Sequence, residues 1–362
     1  MTEHHGDPFR EQRALARGDA FVQRTECGIV RLSGRDRLSW LDSLVSQDVA
    51  QLVPGESAEA LLLDPHGRIE RVMRVLDDGT TTWILVDDDA SGLAAWLDRM
   101  VFRRDVDVAD VSAEFTPVGF FDAGRAASAL APLVATPNAR ALIWKDPWSS
   151  VSEGGWQYAT EPDHPAAEWT YREALLDTEG VTQLAALVSQ GDITPAGTLA
   201  LTALRVSAWR PALADVDDTS LPHEFDWLRS AVHLSKGCYR GQETVAKVHN
   251  LGHPPRRFVA LDLDGSDTTL PEPGWSVALA DEPDKPVGHV TSAARHYEEG
   301  PVALALVKRS VPADAALIVR PAGDAPATGW VAARQTTIVP SDAGKTLDVP
   351  RIRRDRARPT RS

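Results

Sequence analysis

At 362 residues and 39.3 kDa the chain exceeds one average domain and predicts two or three. Its 43% hydrophobic and 25% charged residues exclude wholesale disorder. Its longest apolar run, Val302–Val307, has six residues, far short of the ~20 that span a bilayer. The net charge of −14 argues against strong nucleic-acid binding, which rests on basic surface.

Two cysteines, Cys27 and Cys238, cannot build a disulfide framework or supply the four thiolates of a typical iron–sulfur cluster. The expected setting is therefore a reducing cytoplasm, and the chain is not a ferredoxin-like cluster carrier. Residues 1–24 read as a polar leader without the apolar stretch of a secretory signal. Cys27–Leu32 predicts a strand, and Gly34–Asp36 a turn opening a helix with an apolar face at Leu38, Leu41, Leu44 and Val45. Glu59–Leu63, Ile69–Leu76 and Trp83–Val86 read as strands, the last two separated by the Asp77-Asp78-Gly79 turn. Leu93, Trp96, Leu97, Met100 and Val101 form a second helical stripe ahead of a short strand, Val106–Val111. This order predicts an α+β sheet with helices on one face.

Ala126–Ala135 and Ala167–Val188 carry helical stretches between Pro- and Gly-rich segments. Beyond residue 256 the chain becomes a series of short apolar runs: Arg257–Leu263, Trp275–Ala280, Val287–Ser292, Val302–Val307 and Ala315–Arg320. Turn residues separate them, which predicts a small all-β barrel or sandwich. The predicted division is 25–255 for the α+β region, 256–340 for the β unit and 341–362 for a basic, solvated tail. Six Arg against Asp355 give Arg351–Ser362 a local charge of +5.

The chemistry concentrates in Leu234–Arg257, LSKGCYRGQETVAKVHNLGHPPRR. Lys236, Arg240, Lys247, Arg256 and Arg257 face only Glu243, so this segment is +4 within an acidic chain. Such a patch suits an anionic small molecule. Gly237 and Gly241 bracket Cys238-Tyr239-Arg240 and let the backbone turn tightly. A helix beginning near Gln242, together with Lys236 and Arg240, would favour the Cys238 thiolate; the competing reading is a small buried hydrophobe. Cys27, in a predicted strand, reads as core. His249 and His253 stand at i, i+4, but Gly252 and Pro254 interrupt a helix there and no third ligand is evident, so no metal site is expected. Gly344-Lys345-Thr346 lacks the first glycine of a phosphate loop, having Val339 instead. Trp40, Trp96 and Trp209 read as packing residues.

Lys236-Gly237-Cys238-Tyr239-Arg240-Gly241-Gln242-Glu243 resembles the K-G-C-Y-x-G-Q-E signature of the YgfZ family, folate-binding iron–sulfur maintenance proteins related to the glycine-cleavage T-protein, an aminomethyltransferase. Gly28-Ile29-Val30, Gly34-Arg35-Asp36, Leu62-Leu63-Asp64 with Gly67-Arg68-Ile69, Leu221-Pro222-His223-Glu224 and Val287–Ser292 extend the resemblance over roughly residues 25–335. It implies a ring of ferredoxin-like modules around a central folate channel with a C-terminal β-barrel. It also implies tetrahydrofolate or a derivative as the non-covalent ligand, with iron–sulfur client or assembly proteins as partners and tRNA-modifying enzymes among the clients. T-proteins carry G-G-I-x-D-D where this chain has Gly67-Arg68-Ile69-Glu70-Arg71-Val72, so Arg71 and Val72 replace the acids. They also carry L-R-x-E-A-G, where Ser207 and Trp209 replace Glu and Gly. The first change removes a carboxylate needed for proton transfer or cation stabilisation.

The reading favours a folate-dependent accessory protein with Cys238 as reactive thiol, Lys236 favouring its thiolate and Tyr239 near the folate. Gly237, Arg240, Gly241, Gln242, Glu243, Arg256 and Arg257 are the expected ligand-binding residues. A tetrahydrofolate-dependent aminomethyltransferase is the alternative, and a plain folate-binding module without thiol chemistry a third reading.

Overall fold

Short capped helices alternate with strands whose apolar residues are buried on both sides, and this pattern sets the layering. The computed structural model describes residues 2–266, 269–321 and 330–347. The chain opens with α1 (Pro8–Ala16), capped by the Asp7 side chain, and β1 (Ala20–Gln23). The predicted leader is therefore built into the fold: β1 pairs with two other strands, and Leu15, Phe21 and Val22 are core.

β2 (Gly28–Ser33), α2 (Arg37–Asp42), β3 (Ser57–Leu63), β4 (Ile69–Asp77), β5 (Thr82–Val86), α3 (Ala90–Met100) and β6 (Asp107–Asp110) follow. Their strands form one sheet in the order β3-β4-β5-β2-β6. Val30, Leu32, Met73, Val75 and Ile84 pack with Trp40, Leu41, Leu93 and Leu97 of α2 and α3, whereas Ile29, Leu61, Val72 and Leu85 belong to the central core. Period-two alternation divides the sheet in this way. α2 stops at Asp42, short of the predicted stripe through Val45, and the carbonyls of Asp42, Val45 and Gln47 accept from the Lys236 ammonium.

β7 (Thr116–Phe121), α4 (Arg125–Leu130), β8 (Ile143–Lys145), β9 (Tyr171–Leu176), α5 (Thr178–Gln190), β10 (Thr194–Ala196) and α6 (Thr198–Ser207) complete the α+β region. The second sheet runs β10-β1-β7-β9-β8. Within the stretch predicted helical from Ala167, residues 171–176 form an inner strand instead. Its Tyr171 and Ala174–Leu176 are buried between neighbours on both sides, and a short, fully buried apolar run suits a strand as well as a helix.

α7 (Gln242–Leu251) leads into β11 (Arg256–Leu263), which starts directly after Pro254-Pro255. β12 (Ser276–Leu279), β13 (Glu282–His296), β14 (Gly300–Lys308), β15 (Leu317–Arg320) and β16 (Val331–Thr337) close a barrel in the order β11-β14-β13-β12-β15-β16. The sequence patterning identifies five of these strands and misses β16, whose burial alternates around small and polar residues. The basic tail falls outside the described residues beyond Leu347.

Candidate functional site

Cys238 is exposed, whereas Cys27 is buried. The loop bearing Cys238 is fastened on every side. Lys236, its side chain 1% exposed, pairs with Asp42 at 2.7 Å and donates to the carbonyls of Asp42 (2.7 Å), Val45 (3.0 Å) and Gln47 (2.7 Å). Burial lowers its pKa against the opposing pull of Asp42. Its ammonium also lies 5.5 Å from the centroid of the buried Tyr239 ring, and burial raises the Tyr239 phenol. Arg240 makes a forked pair with Glu70 (2.6 and 3.2 Å) and covers Trp96 at 5.7 Å. Gln242 reaches back to the carbonyls of Lys236 and Gly237 at 3.3 and 3.4 Å.

Gly241 caps α7 with φ +85°, and a Cβ there would stand 2.7 Å from the Asp64 carbonyl and 3.0 Å from Gly67. Gly67, at φ +77°, would in turn meet Thr244 at 2.8 Å. The β3–β4 turn and the start of α7 therefore dock through two glycines that no larger residue could replace without strain. A Cβ on Gly237 would meet nothing within 4 Å; that position is open. Glu243 is exposed in the first turn of α7.

This geometry corrects the expected roles of several cations. Lys236 and Arg240, expected to favour the Cys238 thiolate, have carboxylate partners of their own. Arg256, expected to meet an anionic tail, is held by Glu224 at 2.8 Å and by Asp217. Arg257 is 1% exposed and donates to the Val311 carbonyl and Gln335 at 2.9 Å each, at one end of the barrel interior. Lys236, Arg240 and Arg256 are thus ion-paired anchors and Arg257 is anchored by neutral acceptors, which leaves Lys247 as the segment's exposed cation without an ion pair among the described residues. Between the anchors Lys236 and Arg240 the thiol is presented to solvent.

A second constellation lies between the two sheets. A cavity of about 470 Å³ is lined by both sheets, by α6 and by residues 210–214. Arg24 bridges Glu173 (2.9 Å) and Asp87 (2.8 Å). Arg74 grips both Asp87 oxygens, at 2.7 and 2.8 Å, and donates to Cys27 Sγ at 3.0 Å. Its Nε lies 2.9 Å from Glu173 Oε2, but the alignment is poor and both buried atoms lack a hydrogen-bond partner. Tyr171 donates to the other Glu173 oxygen at 2.9 Å. Arg210 pairs with Glu59 (2.6 Å) and Asp146 (3.0 Å).

Burial pushes Asp87 up, but Arg74 and Arg24 outweigh it and hold the carboxyl below its usual range. Burial pushes the Cys27 thiol up to about 12, which leaves it a neutral core group, as expected for Cys27. Sequence reasoning missed the other residues because they are scattered from position 24 to 210. Their available signal is a charge interrupting a buried apolar run, as Arg74 does within Val72–Leu76 and Glu173 does ahead of Ala174–Leu176.

The positions that differ from the T-protein pattern are now placed. Val72 lines the cavity, while Arg71, one residue earlier, pairs with Asp88 outside it. Glu70 does not substitute for the missing acid, because Arg240 holds it. Trp209 adopts φ +54°, the left-handed conformation that a glycine would favour, and meets the His164 ring at 5.3 Å. Ser207 bonds Glu299 from the β13–β14 turn.

No protein-family model matches the chain. It is 26% identical over 304 residues to the iron–sulfur cluster assembly factor IBA57 homologue, mitochondrial, of Mycosarcoma maydis, an alignment covering 76% of this chain and 68% of that one. A putative chloroplastic transferase of Arabidopsis thaliana is 23% identical over 77% of this chain and 62% of its own length. An aminomethyltransferase of Geobacillus kaustophilus is 28% identical over 84% and 83% of the two chains. In structure, the glycine-cleavage aminomethyltransferase T of Bartonella henselae superposes with a TM-score of 0.71 at 16% identity, covering 94% and 91% of the two chains. The chain thus has the aminomethyltransferase fold and is related in sequence both to an iron–sulfur assembly factor and to aminomethyltransferases.

Proposed function

We propose that the chain is a folate-binding accessory protein for assembly or repair of iron–sulfur enzymes, acting through the Cys238 thiol. The observation that carries this reading is the contrast at the KGCYRGQE loop, where the Lys236, Arg240 and Gln242 side chains are engaged as anchors while the Cys238 thiol between them is exposed. Relatedness to an assembly factor supports the cellular role.

The central cavity fits the folate class on its own chemistry. Its volume of about 470 Å³ falls within the ~300–1,000 Å³ of small-molecule sites. Glu173 Oε2 is buried without a hydrogen-bond partner, and a pterin's 2-amino and ring N–H groups need such an acceptor. Trp144, Trp169 and Tyr171 also line the cavity and supply aromatic faces for a flat heterocycle. Bound there, the folate would supply one-carbon chemistry; this chain's residues hold and orient it and exclude water.

The aminomethyltransferase reading is favoured by the sequence relatives and the shared fold. Against it stands Val72, an apolar side chain at the cavity wall where the resemblance places an acid. The remaining wall carboxylates Glu26, Glu59, Asp87 and Asp146 are ion-paired with arginines. Calorimetric titration with tetrahydrofolate should show one site, weakened at least tenfold by Glu173→Gln. Absence of binding by the folded protein would overturn the folate reading. Incubation with an aminomethylated carrier protein and tetrahydrofolate should release no ammonia; turnover near 1 per second or faster, typical of enzymes, would establish the alternative.

A further inference from the structure

The anchored cations of the thiol loop leave a second basic group unexplained. Arg68, Arg99, Arg103 and Arg104 are exposed and carry no carboxylate partner among the described residues. Three of them flank the end of α3, in Arg99-Met100-Val101-Phe102-Arg103-Arg104. Phe102 is 79% exposed, the highest of any large hydrophobic residue described, and Met100 is 41% exposed. The spur is an ordered turn: Val101 and Arg104 amides bond Asp98 and Val101 carbonyls at 3.2 and 2.9 Å. Arg103 holds φ +56° and lies 5.1 Å over the Phe102 ring.

The spur adjoins the thiol loop through both of that loop's anchors. Trp96 of α3 carries Arg240, and Trp40 of α2, two residues from the Lys236 partner Asp42, donates to the Met100 carbonyl at 3.0 Å. Arg68 and Arg99 line one groove with Trp96 and Glu70, a cavity of about 600 Å³ on the sheet face opposite Val72 and Arg74. Glu70, Asp98, Asp105 and Asp218 are the exposed acids interleaved there, of which Glu70 is paired with Arg240 and Asp105 with Arg35; Asp64, half-buried, also lines the groove.

We propose that the Phe102 spur and the Arg68–Arg99 groove form the docking surface for an acidic protein partner whose thiol-reactive group is delivered to Cys238. The inference rests on the reading of Cys238 as a reactive thiol. Exposed aromatic, Met and Arg side chains are the composition of protein-binding hot spots, and a basic patch on a chain of net charge −14 selects an acidic surface over a neutral one.

A test uses the full chain and 12-residue peptides with one Cys activated as a mixed disulfide with thionitrobenzoate, rich in either Glu or Gln and each made with Leu or with Ser in its place. The Cys238 thiolate attacks the peptide sulfur, the protein–peptide disulfide forms, and thionitrobenzoate leaves with the bond's electron pair; the cysteine proton goes to buffer. At low salt the Glu peptide should react about tenfold faster, the scale of electrostatic steering. The preference should vanish at 0.5 M salt and in the Arg99→Glu, Arg103→Glu, Arg104→Glu triple variant, and Phe102→Ser should slow only Leu-containing peptides. Dithiodipyridine, small and neutral, should react equally with every variant, which checks that the thiol is intact. Equal rates for the two peptides with normal dithiodipyridine reactivity overturn the docking surface alone. Failure of dithiodipyridine to react at Cys238 overturns the thiol reading beneath it. Blockage of the Glu peptide by single-stranded oligouridylate at 0.15 M salt replaces the acidic protein by RNA.

Discussion

The central cavity and the thiol loop use the same residue types in opposite ways. In the cavity, arginines and carboxylates from distant parts of the chain meet out of water, where each pair contributes only if every partner is present. In the loop, adjacent cations reach outward to acids on α2 and β4, and the small residue between them stays free. A dense local cluster of charge therefore marks scaffold here, and dispersed charge marks the candidate ligand cavity.

The largest effect should come from breaking the cavity network. Arg74→Met leaves Asp87 and Glu173 with Arg24 as their remaining close cation, and should destabilise by about 3–5 kcal/mol in urea unfolding, the usual result of unpairing a buried charge. A loss below about 1 kcal/mol would show the network to be wetter than its burial implies. Lys236→Met comes next. It strands the carbonyls of Asp42, Val45 and Gln47, and about 2–3 kcal/mol should be lost, with Cys238 labelling altered as the loop detaches. Arg should not rescue, since a planar fork does not match acceptors arranged around an ammonium.

Asp226 sharpens the comparison through pH. It is fully buried, and burial pushes its carboxyl up to about 7, against the amides of Tyr158 and Ala159 and the charge of Arg229. The native state then holds a proton that the unfolded chain has released, so this group's stabilising effect is lost as pH rises from about 4 to 7. Asp226→Asn should gain stability relative to wild type as pH rises from about 4 to 7 and hold that gain above; Asn also tolerates the φ of +57° seen there. A pH-independent difference between the two melting curves would contradict the assignment. The smallest effect belongs to Glu70→Gln. Its pair with Arg240 is about one third exposed and is worth at most about 1 kcal/mol, so equilibrium unfolding should barely move while loop protection in hydrogen exchange falls.

Much of this fold was legible because periodicity reports burial directly. β2 to β6 and four barrel strands follow from apolar spacing within a residue or two, α3 starts three residues before its expected stripe, and β13 runs from Glu282 to His296, well beyond the expected Val287–Ser292. β9 was hidden because a short, fully buried run has no alternation to read, and β16 because Ala, Gln and Thr face inward along much of its length. The candidate site was legible in one half only. Cys238 stands out through its motif and glycines, but what holds that motif was not readable: Asp42 is 194 residues from Lys236 and Glu70 is 170 from Arg240. Pairings at such separation leave no local pattern, and the same holds for Arg24 with Glu173.

The most direct test of the account replaces each cysteine in turn and asks whether the protein still restores iron–sulfur enzyme activity in cells lacking it, with urea unfolding measured in parallel. Cys238→Ala should unfold within about 0.5 kcal/mol of wild type, as exposed substitutions do, and restore nothing. Cys27→Ala, which leaves a cavity beside Arg74, should lose about 1–3 kcal/mol and restore activity at a temperature where it is folded. Full restoration by a folded Cys238→Ala variant would contradict the thiol mechanism and leave folate binding as the whole function.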